Sequence, residues 1–249
     1  MNKVALITGG AKRVGRAIAL TLAESEMDIV FTWNKSQKEA VDLVEKIQSM
    51  GRQALSIRVE NTDPDAIETL VEKFNQKFNR LDALINNASC FEPSFMGEIS
   101  RENFDQNMAI NARFPLLLTQ AFSTKLAENY QPEDPSSTGR IVNFIDTHVL
   151  GEPLRDYISY NASKAALLEI TNTCALELAP AITVNAIAPG VVAWASSYTE
   201  EKKQEYLQRV PLARAGTIEE AASAVKFLVL DAHYCTGQVI QVDGGRHLT

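Results

Sequence analysis

The sequence has few cysteines, few histidines and no long hydrophobic run. Its three cysteines, Cys90, Cys174 and Cys235, are odd in number and far apart, which excludes a Cys-x-x-Cys site and favours a reducing compartment. The three histidines lack the His-Glu-x-x-His spacing of a zinc site, so we expect no metal. No apolar run approaches the roughly 20 residues of a membrane span. The first residues lead into a strand-like segment rather than a signal peptide, so we expect a soluble, cytoplasmic protein.

Positive charge is also scarce. The 249 residues include 24 Lys and Arg against 31 Asp and Glu, which gives a formal net charge of −7. Sequence-independent nucleic-acid binding relies on clustered positive charge, so we expect neither nucleic acid nor a membrane as a partner. With 45% hydrophobic residues, the chain is long enough to bury a core without a metal or a disulfide.

The sequence does contain a regular alternation of short apolar runs and longer amphipathic stretches. Strands are predicted at residues 4–7, 28–33, 54–59, 81–85, 140–145, 182–187 and 238–242. Helix starts are predicted at a Ser36/Glu39 capping box, at Asp63-Pro64, at Ser100 and at Thr217, with long helices over 103–129 and 159–178. This alternation predicts one α/β domain over residues 1–249, a Rossmann-type doubly wound parallel sheet of about seven strands with helices on both faces.

A glycine-rich turn follows the first predicted strand. It reads Thr8-Gly9-Gly10-Ala11-Lys12-Arg13-Val14-Gly15 and leads directly into a helical pattern. Glycines in such a strand-to-helix turn let the backbone approach a pyrophosphate, and the helix N-terminus binds the anion. Arg13 stands where the ordinary dinucleotide fingerprint has its middle glycine. The turn therefore predicts a dinucleotide site with an unusual residue at its centre.

The end of the second predicted strand indicates which dinucleotide binds. The segment Trp33-Asn34-Lys35-Ser36 offers no carboxylate for the ribose hydroxyls of NAD. A lysine and a hydroxyl suit a 2′-phosphate instead, with Arg13 in support, so NADP(H) is preferred. The alternative is that Lys35 is a solvated loop lysine and Ser36 only a helix cap.

A tyrosine and a lysine stand four residues apart in Tyr160-Asn161-Ala162-Ser163-Lys164, and therefore on one face of a predicted helix. An ammonium beside a phenol stabilises the phenolate, so we expect Lys164 to lower the pKa of Tyr160 from about 10. A tyrosine with such a pKa donates and recovers a proton readily near neutral pH. The pair follows a strand, at the sheet edge where ligands bind.

Taken together, the motifs resemble the classical short-chain dehydrogenase/reductase family over essentially the whole chain. The matching residues are Thr8-Gly9…Gly15, Asn86-Asn87-Ala88, Asn111, Tyr160…Lys164, Pro189-Gly190 and Asp243-Gly244-Gly245. The resemblance implies that Tyr160 is the catalytic acid and that Lys164 holds the ribose and lowers the pKa of that tyrosine. It implies that Asn111 positions a water in a proton relay and that Asn87 supports the cofactor and the central strands.

Three departures from the general family pattern are similar to the pteridine reductases, including dihydromonapterin reductases. They are Arg13 in the turn, Asp146 where the family usually has its catalytic serine, and Ser89-Cys90-Phe91 after the Asn-Asn-Ala motif. Asp146 lies one residue further from Tyr160 than the family spacing, and Thr147 would restore it. We favour Asp146, and a serine-like role for Thr147 stays open.

This resemblance implies a complete set of site residues. Cofactor binding is assigned to Gly9, Lys12, Arg13, Val14, Gly15, Asn34, Lys35, Ser36, Glu60, Asn87, Ala88, Ser89, Tyr160, Lys164, Pro189 and Gly190. Catalysis is assigned to Asp146, Tyr160, Lys164 and Asn111, and substrate binding to Arg13, Ser89, Phe91, Asp146, Tyr160 and Trp194. Phe91 would stack a pterin ring against the nicotinamide, while Trp194 belongs to an expected substrate lid at about residues 191–208.

The resulting expectation is an NADPH-dependent pteridine reductase that converts a 7,8-dihydropterin to the tetrahydropterin. One alternative is a ketone or 3-oxoacyl thioester reductase of the same fold, and another is an NADP(H)-binding sensor without catalysis. The family resemblance also implies a homotetramer built through the long helices. Each assignment also has a simpler explanation: Asp146 as a turn cap, Phe91 as core packing and Arg13 as a surface arginine. We expect His148 to be a loop residue and Cys90 a small buried neighbour.

Overall fold

The apolar runs form the strands of one parallel sheet in the computed structural model, which describes residues 2–63, 65–194 and 198–249. The strands are β1 (Val4–Ile7), β2 (Asp28–Trp33), β3 (Ala54–Arg58), β4 (Ala83–Asn86), β5 (Gly139–Phe144), β6 (Ile182–Pro189) and β7 (Val239–Val242). Their order across the sheet is β3-β2-β1-β4-β5-β6-β7. The predicted fold class is confirmed, and the predicted strand ends differ by no more than a residue or two.

Helices cover both faces of this sheet. They are α1 (Arg13–Glu24), α2 (Gln37–Ser49), α3 (Ala66–Asn75), α4 (Arg101–Met108), α5 (Phe114–Ala127), α6 (Ile158–Glu177), α7 (Glu200–Gln208) and α8 (Ile218–Leu230). In the described part of the chain, none of these helices combines the length and the apolar character that a membrane crossing requires.

The alternation of side chains along β1 divides the core into two layers. Ala5 and Ile7 pack in a cluster with residues of α1, α2 and α8, whereas Val4 and Leu6 pack with residues of α3, α5 and α6. Because successive side chains of a strand point to opposite faces, a strand with helices on both sides is apolar at every position. All four residues of β1 are buried, as this arrangement requires.

The chain reverses its direction of winding between β1 and β4. From β1 it proceeds to β2 and β3 on one side, and it then returns to place β4 through β7 on the other. A crevice forms outside the carboxyl ends of the strands at such a reversal, and ligands bind there in open α/β sheets. The residues that follow β1, β4 and β5 are therefore brought to one edge.

The long helix expected over residues 103–129 is interrupted. A π-helical turn, Ala109–Arg113, separates α4 from α5, and Pro115 lies in the first turn of α5. The apolar pattern continues through the turn, so periodicity did not reveal it. Its consequence for Asn111 is described below.

The predicted helix starts are correct at Ser36, Ser100 and Thr217, which are the N-cap residues of α2, α4 and α8. Ser100 caps α4 by accepting from the backbone N–H of Asn103, and Thr217 forms a complete capping box with Glu220. The Ser36/Glu39 box is wrong: among the described residues the Ser36 side chain accepts no capping hydrogen bond. Glu39 instead forms an ion pair with Lys12, at 2.7 Å.

Two further predictions fall partly on residues outside the described structure. Helix α3 begins at Ala66 with Asp65 at its N-cap position, rather than at Asp63-Pro64, and Pro64 itself lies outside the described residues. The expected lid at 191–208 includes α7, a helix that the sequence analysis did not predict, and residues 195–197 of that segment are likewise not described.

Thr217→Ala is expected to lower the free energy of unfolding by about 1 kcal/mol, because it removes the side-chain acceptor of the α8 capping box. Urea unfolding followed by circular dichroism measures the change. Ser36→Ala is the matched control, since the described structure gives Ser36 the N-cap position of α2 without a capping bond. Equal losses in the two variants would contradict the assignment.

Candidate active site

In the turn after β1, the backbone packs so closely around Gly15 that no side chain would fit there. A Cβ on Gly15 would lie 2.3 Å from the carbonyl oxygen of Gly9 and 2.7 Å from Nδ2 of Asn87. Gly9 has φ +66°, and Arg13, at the position of the fingerprint's middle glycine, has φ +49°. Both lie in the left-handed region that favours glycine. The turn thus keeps a glycine-type backbone although its central residue is an arginine.

Thr8 and Asn87 join the two strands at the switch point. Thr8 Oγ1 accepts from the backbone N–H groups of Asn87 and Ala88, each at 3.0 Å. In return, Asn87 Nδ2 donates to the carbonyl oxygens of Thr8 at 2.9 Å and Gly9 at 3.2 Å. These reciprocal bonds hold the glycine turn against the end of β4, which is the supporting position expected for Asn87.

A cavity of about 410 Å³ extends from this turn along the end of β2. Its lining includes Gly9, Ala11, Lys12, Trp33, Asn34, Lys35, Ser36, Ser89, Cys90 and Phe91. The buried indole Nε1 of Trp33 has no hydrogen-bond partner among the described residues. Six of the sixteen residues predicted to bind a cofactor therefore line this cavity, namely Gly9, Lys12, Asn34, Lys35, Ser36 and Ser89.

Charged groups are distributed unevenly around the 2′-phosphate position predicted for this cavity. Lys12 is held by Glu39, and Asn34 Nδ2 donates to Glu60 Oε2 at 2.6 Å. Lys35 is exposed, and no described residue forms an ion pair with it. Lys35 is thus the lysine at the end of β2 whose charge is available to an anion.

Other predicted cofactor residues lie nearby in the fold. Pro189 ends β6, and the backbone N–H of Gly190 donates to the carbonyl oxygen of Val242. A Cβ on Gly190 would lie 3.0 Å from Cα of Asp243, so the backbone passes closely here as well. Val14 lies in the first turn of α1, half-buried against the core.

The predicted acid pair is in contact. Tyr160 Oη donates to Asp146 Oδ2 at 2.6 Å, and Asp146 Oδ1 accepts from the backbone N–H of His148 at 2.9 Å. Thr147 is buried, and its hydroxyl donates away from the tyrosine, to Asp243 Oδ2 at 2.8 Å. Of the two residues considered for the usual serine position, Asp146 is the one that faces Tyr160. The Asp146 side chain also caps the turn that follows it, so this residue is both the partner of Tyr160 and a turn cap.

Lys164 does not lower the pKa of Tyr160 as the sequence analysis expected. Its Nζ donates to the carbonyl oxygen of Phe144 at 2.6 Å and lies 5.8 Å from the centroid of the Tyr160 ring. Burial raises the pKa of Tyr160 well above its ordinary value, and the charge and hydrogen bond of Asp146 raise it further. Burial also lowers the pKa of Lys164 to about 8, against the opposing effect of Asp146. The carboxylate of Asp146 therefore affects the pKa of Tyr160 more than the ammonium of Lys164 does.

Asn111 occupies the π-helical turn between α4 and α5, and its side chain is fully engaged. Nδ2 donates to Ser163 Oγ and to the carbonyl oxygen of Cys90, both at 2.9 Å. Oδ1 accepts from the backbone N–H of Cys90 at 2.8 Å and from Ser89 Oγ at 3.1 Å. Asn111 thus ties the segment after β4 to α6, and its predicted action on a water would have to come from its backbone.

Aromatic rings surround the acid pair. Phe91 is 38% exposed and stacks on Tyr157, with ring centroids 4.5 Å apart and planes 13° apart. It meets Tyr160 edge-on at 4.8 Å. Trp194, from the expected lid, packs against Tyr206 of α7 at 5.6 Å. The Phe91 ring is thus only partly covered, and it presents apolar surface beside Asp146 and Tyr160.

The structure separates some candidate residues from the acid pair. Arg13 Nη2 donates to the carbonyl oxygen of Ala193 at 2.7 Å, which links the glycine turn to the expected lid. The His148 ring contacts the Glu152 carbonyl, and only the backbone N–H of this residue reaches Asp146. Cys90 is buried, and burial together with Glu92 raises the pKa of its thiol to about 11, so it is a packing residue as expected. Within the described residues, no group of three or more His, Cys, Asp or Glu side chains is placed to hold a metal.

Sequence reasoning missed two contributors to this site. Tyr157 carried no signal, because nothing in its local pattern distinguishes a residue that stacks on Phe91 from an ordinary helix-entry residue. Asp243 was noticed only as part of a C-terminal motif and received no role. Its contact with Thr147 spans almost the whole second half of the chain, and a sequence pattern does not encode such a contact.

Comparisons with known proteins agree on the family. A family model described as enoyl-(acyl carrier protein) reductase matches residues 9–247. The chain is 34% identical to a 3-oxoacyl-[acyl-carrier-protein] reductase of Synechocystis sp., over 98% of this chain and 96% of that protein.

Two solved structures are also similar. The acetoin dehydrogenase of Salmonella typhimurium is 30% identical with a TM-score of 0.88, covering 100% of this chain and 97% of that one. A blue fluorescent protein from a metagenomic library, in complex with NADPH, is 31% identical with a TM-score of 0.90, over 98% and 97% of the two chains. None of these matches is named a pteridine reductase, so that branch stays a hypothesis. The identity and coverage nevertheless establish that this chain belongs to the short-chain dehydrogenase/reductase family of oxidoreductases.

Proposed function

We propose that this protein uses NADPH to reduce the C=N bond of a dihydropterin, giving the tetrahydropterin. The observation that carries the proposal is the 2.6 Å hydrogen bond from Tyr160 to the carboxylate of Asp146, at the position where the family usually has a serine. The aromatic surface of Phe91 beside this pair suits a flat heterocycle.

The cavity beside the glycine turn fits a dinucleotide phosphate. Gly9, Ala11 and Lys12 line it at the N-terminus of α1, where backbone N–H groups can bind an anion, and the buried Trp33 Nε1 offers an unused donor. Lys35, with Ser36, would hold a 2′-phosphate, Arg13 would join them on leaving the carbonyl of Ala193, and Lys164 would hold the ribose. When bound, NADPH supplies the hydride. The NADPH complex of the metagenomic relative supports this choice of cofactor.

Lys35→Ala is expected to raise the dissociation constant for NADPH about tenfold, because one charge-assisted contact to a phosphate is lost. The affinity for NADH, which lacks the 2′-phosphate, is expected to change less than about twofold. Fluorescence titration of the reduced cofactors measures both values. Lys38→Ala, at a neighbouring lysine in the first turn of α2, is the matched control. Equal weakening of NADPH and NADH by Lys35→Ala would contradict the assignment.

The Tyr160/Asp146 pair is suited to moving one proton. Tyr160 already donates its proton to Asp146 in a hydrogen bond, and its raised pKa keeps the phenol protonated at neutral pH but makes it a weaker acid, so the proton passes only to a strongly basic acceptor. A ring nitrogen that takes up the electron pair of a reduced C=N bond is such an acceptor. When a hydride adds to C6 of a 7,8-dihydropterin, N5 must gain a proton. In the proposed reaction Tyr160 donates it. Asp146 then orients the tyrosine and accepts hydrogen bonds from N–H groups of the ring.

The same pair is less suited to a simple carbonyl. A carbonyl oxygen gains negative charge as it is reduced, and an ionised carboxylate beside it raises the energy of that charge. A serine hydroxyl would instead donate a hydrogen bond to the oxygen. A pterin has ring N–H groups, and a carboxylate can accept hydrogen bonds from them. The negative charge of Asp146 would therefore favour binding of a pterin.

A second candidate is the reduction of a 3-oxoacyl thioester. It is favoured by the name and near-full-length coverage of the Synechocystis relative, and the comparisons support it more directly than they support pterin reduction. A non-catalytic NADP(H) sensor is the third reading, and the intact contact of Tyr160 with Asp146 beside Lys164 argues against it.

Product analysis tests the proposal. Purified protein, NADPH and 7,8-dihydrobiopterin are incubated without oxygen, and the pterins are separated by chromatography with electrochemical detection. We expect one tetrahydropterin for each NADPH oxidised. Oxidation of NADPH with acetoacetyl thioester but not with the dihydropterin would overturn the proposal in favour of the second candidate.

The organisation of the chain forms part of the same proposal. We propose that residues 1–249 act as one NADP(H)-binding reductase domain, with 191–208 as the substrate lid and a homotetramer as the assembly. The exposed apolar side chains of Leu116 and Leu117 on α5 support packing of that helix against another copy. Gel filtration that finds a monomer would contradict the assembly.

A further inference from the structure

The C-terminal segment after β7 contacts the turn that carries Asp146. Asp243 is buried, and its Oδ2 accepts from Thr147 Oγ1 at 2.8 Å and from the backbone N–H and ring Nδ1–H of His247 at 2.9 and 2.8 Å. Its Oδ1 accepts from the backbone N–H of Gly245 at 3.0 Å. Three of these four donors come from the C-terminal segment itself. Thr147 is the donor that comes from the active-site turn.

The C-terminal segment is a firm support for this contact. Gly244 and Gly245 have φ +65° and +85°, and a Cβ on Gly244 would lie 2.8 Å from Cγ1 of Val210. Arg246 is buried, its guanidinium lies 5.5 Å from the centroid of the Tyr206 ring, and its Nη1 donates to the carbonyl oxygen of Thr249. Close packing and buried hydrogen bonds of this kind resist displacement. Asp243 therefore has a fixed position relative to α7 and the end of β7.

Thr147 connects Asp243 to Asp146, its neighbour in the chain. The backbone at Asp146 is extended (φ −147°, ψ 146°), and the two neighbouring side chains leave it in different directions, Asp146 towards Tyr160 and Thr147 towards Asp243. Thr147 is only 2% exposed, so its hydroxyl depends on the carboxylate for a partner. Because Asp243 holds Thr147, the backbone that Thr147 shares with Asp146 is also held. The Asp146 side chain therefore has fewer orientations available.

We propose that Thr147 and Asp243 form a positioning latch, which holds the Asp146 carboxylate within hydrogen-bond distance of Tyr160. Thr147 is then a positioning residue for the acid pair, and the serine-like role that its spacing left open does not apply. The catalytic consequence rests on the proposed function, whereas the geometric consequence does not.

Thr147→Val tests the latch, because valine keeps the shape of threonine and removes the hydroxyl. We expect kcat for dihydropterin reduction to fall about tenfold, with KM for NADPH changed less than about twofold. Thr147→Ser, which restores a hydroxyl, is expected to recover kcat to within about threefold of the wild type. Thr119→Val, at a buried threonine of α5, is the control and is expected to keep the wild-type kcat. Thr147→Ala, which also removes the hydroxyl, is a second variant, expected to lower kcat in the same way, in case Thr147→Val does not fold.

A crystal structure of Thr147→Val, or of Thr147→Ala if the valine variant does not fold, measures the geometry directly. We expect the distance between Asp146 Oδ2 and Tyr160 Oη to exceed about 3.5 Å, which is no longer a hydrogen bond. A retained short distance would overturn the latch, and so would an unchanged kcat or a failure of Thr147→Ser to rescue. If the wild type reduces neither a dihydropterin nor a 3-oxoacyl thioester, the proposed function fails, and the crystallographic distance still decides the latch.

Discussion

Tyr160→Phe is expected to lower kcat for dihydropterin reduction by about a thousandfold, while the affinity for NADPH changes less than about threefold. The phenol is the proton donor of the proposed reaction, and general acid catalysis contributes roughly 10²–10⁴ to a rate. Phenylalanine keeps the ring that meets Phe91 edge-on, so the pocket wall is preserved. Steady-state kinetics at saturating NADPH, together with fluorescence titration of NADPH, separate the two effects.

The control for this variant is Tyr234→Phe, at a tyrosine whose side chain is fully exposed. It is expected to match the wild type in both measurements. Unchanged turnover in Tyr160→Phe would remove Tyr160 from the mechanism. A loss of NADPH affinity as large as the loss of kcat would instead make Tyr160 a binding residue.

Asp146→Ser is expected to shift the substrate preference from a dihydropterin towards an acetoacetyl thioester. We expect kcat/KM for a dihydropterin to fall about a hundredfold, because the acceptor for the ring N–H groups and the partner that orients Tyr160 are both lost. The value for an acetoacetyl thioester is expected to rise, since a hydroxyl replaces the carboxylate that opposes charge on a carbonyl oxygen. Parallel assays with the two substrates measure the change, and equal loss with both substrates would contradict the role assigned to Asp146.

Asp146→Asn separates the charge of this residue from its shape. Burial is the larger cause of the raised pKa of Tyr160, and the charge and hydrogen bond of Asp146 add to it. Without that charge the pKa of Tyr160 falls, and the phenol loses its proton at a lower pH. Lys164, with a pKa of about 8, titrates before Tyr160, and Asp146 raises the pKa of that ammonium as well. The alkaline decline of kcat/KM, to which both groups contribute, is therefore expected at lower pH in Asp146→Asn than in the wild type. A decline that moves to higher pH, or does not move, would contradict this electrostatic account.

The fold was largely predictable from the sequence because the strands are covered on both faces. Runs such as Val4–Ile7 are apolar at every position, and such runs separated by amphipathic helices are typical of few architectures. The π-helical turn at Ala109–Arg113 was not predictable, since it keeps the apolar pattern and is stabilised by Asn111 through partners distant in sequence. Helix α7 was missed because its residues are predominantly polar and none is buried, which leaves no apolar stripe to detect.

The candidate site was predictable where its residues are close in sequence and less so where they meet through the fold. The spacing of Tyr160 and Lys164 places them on one helix face, but it does not show that Lys164 bonds to the carbonyl of Phe144. The expected direction of the pKa of Tyr160 was therefore wrong. Spacing also left Asp146 and Thr147 as alternatives, and it could not show that Asp146 faces Tyr160 while Thr147 faces Asp243, far along the chain.

A competition assay tests the central claim most directly, namely that the Asp146/Tyr160 pair selects a dihydropterin over a 3-oxoacyl thioester. Wild-type protein is given equal concentrations of 7,8-dihydromonapterin and acetoacetyl thioester with limiting NADPH, and both products are quantified. The ratio of products equals the ratio of the two kcat/KM values. We predict at least a hundredfold preference for the dihydropterin. A preference for the thioester would contradict the account and would make Asp146 a variant of the usual serine in a 3-oxoacyl reductase.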